Sequence, residues 1–309
     1  MLFPPERPDW ERDGRDWPNR EHSRFVAAGG LRWHVQLAGE GPAVLLLHGT
    51  GASTHTWRDM LPLLAREMTV IAPDLPGQGF SEPLPFHRLT LGGMAAAMAD
   101  LLRRLEVAPA MIVGHSAGAA IAVRMALDGR VRPDLLVSLN GALVGFDGVA
   151  GHLFPSLAKL LFVNPLTPRL FAMRAEEPRV RRMLAETGST IGARGEELYL
   201  RLFRKPGHVA GALGMMAGWD LHGLERALPG LRCPLTLVTT RDDRMIPPEK
   251  ARRAAGRVPG ATLLVRESGG HLVHEERPEA IVTLLLETAR ETGILPGETA
   301  PPVANGGPS

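Results

Sequence analysis

Gly114-His115-Ser116-Ala117-Gly118 is the stretch where residue types and spacing point most directly to chemistry. It follows the apolar run 110–113 and precedes a helical pattern from Ala117 to Leu127. A strand that turns sharply into a helix needs small residues around the turn, and it leaves the central hydroxyl exposed. A serine hydroxyl is a weak nucleophile at neutral pH and needs a base, which in turn needs an orienting acid. With a nucleophile on such an elbow, the acid and then the histidine follow along the chain. His271, in Ser268-Gly269-Gly270-His271 after the last strand-like run, is the candidate base. Asp242 and Asp243 both lie after the penultimate run and are both candidate acids. A tetrahedral intermediate also needs oxyanion donors. His48-Gly49-Thr50-Gly51 ends an early strand and can offer the Thr50 N–H, while the Ala117 N–H opens a helix and gains from its dipole. His48 itself reads as a residue that organises this loop.

His271-Leu272-Val273-His274-Glu275 brings two histidines and a carboxylate close together, but the spacing is wrong for zinc. A zinc helix sets its histidines four apart, with the glutamate beside the first. No metal and no cofactor are expected, and His274 and Glu275 are read as residues that fix the position of His271.

The elements needed to position these groups are legible. Leu31 to Leu37 alternates as an antiparallel strand does. Short apolar runs at Ala43–Leu47, Met68–Ala72, Ala110–Val113, Leu135–Leu139, Leu235–Thr240 and Ala261–Val265 suit buried parallel strands. Helical spacing over Leu89–Leu105, and again from Pro278 to Thr292, supplies covering helices. The fold class is therefore α/β, a mostly parallel sheet with helices on both faces. Between Gly141 and Leu228 the strand signal lapses. Helices are expected at 152–163, 167–174, 177–187, 195–204 and 207–217, an insertion too long for a plain connection. Residues 141–228 are read as a helical cap, and 23–140 with 229–295 as the core. Residues 1–22 are read as an irregular arm anchored by Trp10 and Trp17, and 296–309 as a disordered tail.

The 309 residues are 44% hydrophobic and 22% charged, enough to bury a core without covalent staples. Although the pI is near 9.1, the net charge is only +2 and the arginines are interspersed with acids. That is a mixed-charge surface, and no nucleic-acid partner is expected. The single cysteine, Cys233, reads as a small packed residue and excludes an intrachain disulfide. The N-terminal stretch lacks a signal-peptide apolar core, and no run is long and apolar enough for a transmembrane helix. A cytoplasmic location is expected.

Taken together, the HGTG loop at 48–51, DLPGQGFS at 74–81, GHSAG at 114–118, RDDRMIP at 241–247 and SGGHLVHEERPE at 268–279 resemble the α/β-hydrolase superfamily. The likeness runs from about residue 24 to 292. It implies an α/β-hydrolase fold with an inserted helical cap. It selects Asp243 as the acid, because in that family the acid stands a fixed step before the Ile-Pro pair. A serine nucleophile, where some relatives have aspartate, implies acyl chemistry on an ester or related bond. A second, narrower likeness is carried by Asp16-Trp17-Pro18-Asn19-Arg20, Ser23-Arg24-Phe25 and Gly30–Gln36. The stretches Phe154–Leu161 and Asn164–Pro168 add to it. These resemble the magnesium-chelatase accessory protein of bacteriochlorophyll synthesis, whose role concerns magnesium insertion into protoporphyrin IX. That resemblance implies a tetrapyrrole as the bulky apolar ligand and magnesium chelatase as a partner, but it implies no particular reaction. A non-catalytic tetrapyrrole-binding or chelatase-assisting role on a hydrolase fold is the alternative, and lyase chemistry on the same triad is a third. The cap aromatics and methionines, Phe146, Phe154, Phe162, Phe171, Met173, Phe203, Met215, Met216 and Trp219, are expected to wall an apolar pocket above Ser116.

Overall fold

The computed structural model describes residues 5–145, 164 and 166–297. The eight strands are β1 (Ser23–Ala28), β2 (Leu31–Ala38), β3 (Ala43–Leu47), β4 (Thr69–Pro73), β5 (Met111–His115), β6 (Leu135–Leu139), β7 (Leu235–Thr240) and β8 (Thr262–Arg266). They form one sheet in the order β1-β2-β4-β3-β5-β6-β7-β8. β2 pairs antiparallel with β1 and β4, whereas every pairing from β4 through β8 is parallel.

The continuous apolar runs are explained by burial on both faces. Along β3, Leu45 and Leu47 point into one core and Val44 and Leu46 into the other, the two-residue period of a pleated strand. The first core is covered by α3 (Leu91–Leu105) and α4 (Ala117–Leu127), through residues such as Met94, Met98, Leu101, Ile121 and Met125. The second is covered by α2 (Leu61–Leu64) and α12 (Pro278–Glu291), through Leu61, Leu64, Ile281 and Leu285.

Between β6 and β7 lie α5 (Thr167–Met173), α6 (Glu177–Glu186), α7 (Ala193–Phe203), α8 (Pro206–Ala217) and α9 (Leu221–Ala227). The first four match helices expected from spacing. The fifth has no counterpart among the expected helices, and it packs on α4. The expected helix at 152–163 and the residues Phe146, Phe154 and Phe162 lie outside the described residues, as does the tail beyond residue 297. α10 (Pro248–Ala255) and α11 (Val273–Glu276) complete the described α-helices.

The arm packs on both core and cap. It contains α1 (Trp10–Asp13), whose Trp10 ring meets Phe25, His34 and Phe80. Trp17 is buried and donates its ring N–H to Thr54 Oγ1 at 3.0 Å. Toward the cap, Arg201 pairs with Asp16 at 2.6 Å, and Lys205 with Glu6 and Asp13 at 2.9 and 3.0 Å.

Candidate active site

The loops after β3, β5, β7 and β8 gather at the carboxyl ends of the parallel strands. β3 connects to β4 on one side while β5 lies on its other side, so a crevice opens between the loops of β3 and β5, the usual ligand position in such sheets.

Ser116 sits between β5 and α4 at φ 50°, ψ −113°, a strained conformation for a non-glycine residue. The glycines around it are required by close approach. A Cβ on Gly118 would lie 2.0 Å from Leu47 O, and one on Gly114 would lie 2.4 Å from Ala119. The turn is held by Ser116 N–H to Leu139 O at 3.0 Å and by Ala142 N–H to Ser116 O at 3.0 Å.

Of the two candidate acids, Asp243 is buried and Asp242 is exposed. Asp243 Oδ2 lies 2.9 Å from His271 Nδ1. Its Oδ1 accepts the N–H groups of Met245 and Ile246, both at 2.8 Å. The carboxylate is thereby fixed, and Nδ1 carries the proton it donates. Nε2 of His271 is left as the acceptor nitrogen. His271 and Ser116 line the same cavity. Among the described residues, no hydrogen bond joins Ser116 Oγ to His271.

Thr50 and Ala117 line that cavity too. Ala117 is the first residue of α4, so its N–H has no partner within the helix. The loop that carries Thr50 is pinned on several sides. Gly51 N–H donates to Gln78 Oε1 at 2.6 Å. His48 Nδ1 donates to Gly49 O at 2.8 Å, and its Nε2 accepts the Leu75 N–H at 2.8 Å. Sequence reasoning missed His208 of α8, which donates from Nε2 to Gly51 O and accepts the Gly79 N–H on Nδ1, both at 3.0 Å. Burial lowers its pKa to about 4, and the neutral ring is the form that can both donate and accept.

The cap also reaches the base loop. Thr187 O, just past α6, accepts the His271 N–H at 3.3 Å, and Ser189 Oγ accepts the Leu272 N–H at 2.8 Å. Tyr199 of α7 donates its hydroxyl to Glu275 Oε1 at 2.8 Å. Glu275 also accepts from Thr56 Oγ1 at 2.6 Å and pairs with Arg58. Burial pushes the Glu275 carboxyl up, against the pull of Arg58 and these donors. His274 Nε2 lies 2.7 Å from Thr56 Oγ1. His274 and Glu275 thus belong to a buried network under the cap. None of Thr56, Arg58 and Tyr199 carries a motif that would have revealed it.

The cavity measures about 660 Å³, within the size range of small-molecule sites. Of the expected wall residues, Phe171, Phe203, Met216 and Trp219 line it, joined by Met183, Leu184, Leu213 and Ile246. Two expected residues face elsewhere. Met173 is 80% exposed at the end of α5, and Met215 is fully buried in the main core. On α8, Met215 and Met216 are adjacent and so face different directions, which a composition argument cannot resolve. No helix among the described residues is long and apolar enough to cross a membrane.

Residues 44–284 match the model of the alpha/beta hydrolase family. The chain is 41% identical over 275 residues to the Magnesium-chelatase 30 kDa subunit of Rhodobacter capsulatus, covering 88% of this chain and 96% of that protein. It is 27% identical over 276 residues to the 2-hydroxy-6-oxo-2,4-heptadienoate hydrolase of Pseudomonas putida, covering 86% and 96%. Among solved structures, a putative lipase from Acinetobacter baumannii superposes with a TM-score of 0.74 at 17% identity, covering 90% of this chain and 94% of the other. A mutant of the meta-cleavage product hydrolase CumD gives 0.72 at 22% identity, covering 88% and 100%. At these identities both likenesses speak for the fold alone.

Proposed function

Because this chain belongs to the α/β-hydrolase family, we propose that it is a serine hydrolase cleaving an ester or related acyl bond of a bulky apolar substrate. The observation that carries this reading is the buried Asp243–His271 pair, whose histidine lines the same largely apolar cavity as Ser116. In the mechanism, Ser116 Oγ attacks the acyl carbon and its proton passes to His271 Nε2. The oxyanion is held by the Thr50 and Ala117 N–H groups, each such donor being worth about 3 kcal/mol in the transition state. His271 then protonates the leaving group, and water, deprotonated by the same nitrogen, hydrolyses the acyl-enzyme. Asp243 keeps His271 in the required tautomer.

A fluorophosphonate probe tests this directly. Labelling is expected at Ser116 and is expected to vanish in Ser116→Ala, together with hydrolysis of p-nitrophenyl butyrate and with no change in melting temperature. An unlabelled protein, or full esterase activity in the variant, would refute the assignment.

The relationship to a protein named as a magnesium-chelatase subunit favours a role in bacteriochlorophyll synthesis, at magnesium insertion into protoporphyrin IX. It also supports a second reading, a tetrapyrrole-binding or chelatase-assisting protein whose triad is not used. In either case the cavity is the binding place for a tetrapyrrole, and Trp219 on its wall is the reporter. Protoporphyrin IX is expected to quench tryptophan fluorescence with a dissociation constant in the micromolar range, about −7 to −8 kcal/mol. Replacing Met183 and Met216 with glutamate is expected to weaken that binding. Absence of quenching would remove the tetrapyrrole from both readings and leave the hydrolase reading standing.

A further inference from the structure

We infer that Asn140 and His115 are positioning residues for the base, their side-chain N–H groups together holding the backbone carbonyl of His271; this rests on the serine-hydrolase reading. Asn140 directly follows β6. Its Nδ2 lies 2.9 Å from Gly270 O, 3.2 Å from His271 O and 3.1 Å from Thr240 Oγ1. The Thr240 hydroxyl donates to the same Gly270 carbonyl at 3.0 Å. His115, next to Ser116, lies with Nε2 2.9 Å from His271 O. The carboxyl ends of β5, β6 and β7 therefore converge on two consecutive carbonyls of the loop after β8.

The orientations follow from chemistry. A carbonyl oxygen only accepts, so it is the nitrogen of Asn140 and the protonated Nε2 of His115 that face it. His115 is fully buried, and burial holds its pKa well below the usual histidine range, so the ring is neutral. Its Nδ1 is then an acceptor.

Both residues are kept at a cost to the fold. His115 Nδ1 and Asn140 Oδ1 are buried without a hydrogen-bond partner among the described residues. Unpaired buried acceptors are uncommon. Asn140 is also one of the few non-glycine residues at positive φ, 44°, a conformation asparagine tolerates better than most. Local rules broken together beside a reactive group mark a functional constraint. The geometry supplies one. His271 is held at its N–H by Thr187 of the cap and at its C=O by Asn140 and His115 of the sheet. The imidazole has only the rotations about its own side chain left, and Asp243 fixes those.

Asn140→Gly removes the amide while keeping the positive φ accessible. Leu285→Ala, at a buried site on α12 that does not line the cavity, serves as a destabilised control. Both are assayed on p-nitrophenyl butyrate well below their melting temperatures, alongside the rate of fluorophosphonate labelling at Ser116. Asn140→Gly is expected to lose at least about tenfold in kcat and in labelling rate, because small misplacements of a catalytic group are costly. Its KM should change less than about threefold, and the control should keep wild-type kcat. Should Asn140→Gly fail to fold, His115→Phe is expected to show the same loss, with His115→Gln, which retains a donor, recovering part of it. Wild-type kcat in Asn140→Gly or His115→Phe, or an equal loss in Leu285→Ala, would overturn the inference while the hydrolase reading stood. A wild-type protein that neither labels nor hydrolyses would overturn both.

Discussion

Asp74 offers a quantitative test of how the core, the arm and the loop that follows β3 are joined. Its carboxylate is fully buried and has three partners. Oδ1 accepts the Thr54 N–H at 2.7 Å, and Oδ2 accepts the Phe80 N–H at 2.8 Å and lies 2.8 Å from His34 Nδ1. Burial alone would raise its pKa, but His34, then His48 and the Phe80 N–H, outweigh that and bring it to about 2. Asp74→Asn removes the charge and turns an amide toward one of these donors. One backbone N–H is then left unpaired, costing about 1–3 kcal/mol. Adding the lost charge interactions, a destabilisation of about 3–5 kcal/mol is expected at neutral pH. The pH dependence is the sharper test. A carboxyl depressed from about 4 to about 2 contributes stability that is complete above pH 4 and lost as the pH falls through 2, roughly 2–3 kcal/mol in all. About 1 kcal/mol of that is gone by pH 3. Urea unfolding of both proteins, followed by tryptophan fluorescence, should therefore show the gap narrowing by about 1 kcal/mol between pH 5 and pH 3. A gap that is constant or widens on acidification, or one below about 1 kcal/mol at pH 7, would refute this account of Asp74.

Two further outcomes follow from the site. Asp243→Asn should cut kcat on p-nitrophenyl butyrate by about 10⁴-fold through loss of the correct His271 tautomer, whereas Asp242→Asn should stay near wild type. The reverse pattern would reassign the acid. His208→Phe deletes the hydrogen bonds to Gly51 and Gly79 and should lower kcat by loosening the Thr50 donor, by no more than the roughly 3 kcal/mol that a whole donor is worth. Unchanged kcat would show that the loop holds its shape without the cap.

The sheet was legible because its signals are local. β3 and β6 begin and end where their apolar runs do, and the elbow at Ser116 is encoded within five residues. Other elements left no such signal, among them β1, α9 and α10. β1 is an edge strand, half-exposed along much of its length, so its sequence SRFVAA neither alternates nor stays apolar. α10 buries only Ala251 and Ala254, too little to create a periodic stripe. α9 is seven residues long and opens on the Asp220 side-chain cap. In each, neighbours in space decide the conformation rather than the local pattern.

The candidate site divides the same way. Candidate residues on the strand-end loops could be read by type and order, but these left Asp242 and Asp243 both open, and only the likeness to the hydrolase family selected Asp243. What fixes those residues could not be read. Asn140 is separated from its carbonyl partners by 130 and 131 positions, His115 from His271 by 156, and Thr56 from Glu275 by 219. Each is a common polar residue whose role exists only once the sheet has brought distant loops together. Composition fails at the cap for a related reason. It can say that a helix is rich in methionine, but Met215 in the core, Met216 on the cavity and Met173 in solvent differ only in the direction each side chain takes from its helix. His208 and Thr187 show the consequence. The cap touches both the Thr50 loop and the His271 loop through hydrogen bonds that no motif records, so a substitution that displaces the cap must also disturb the groups it covers.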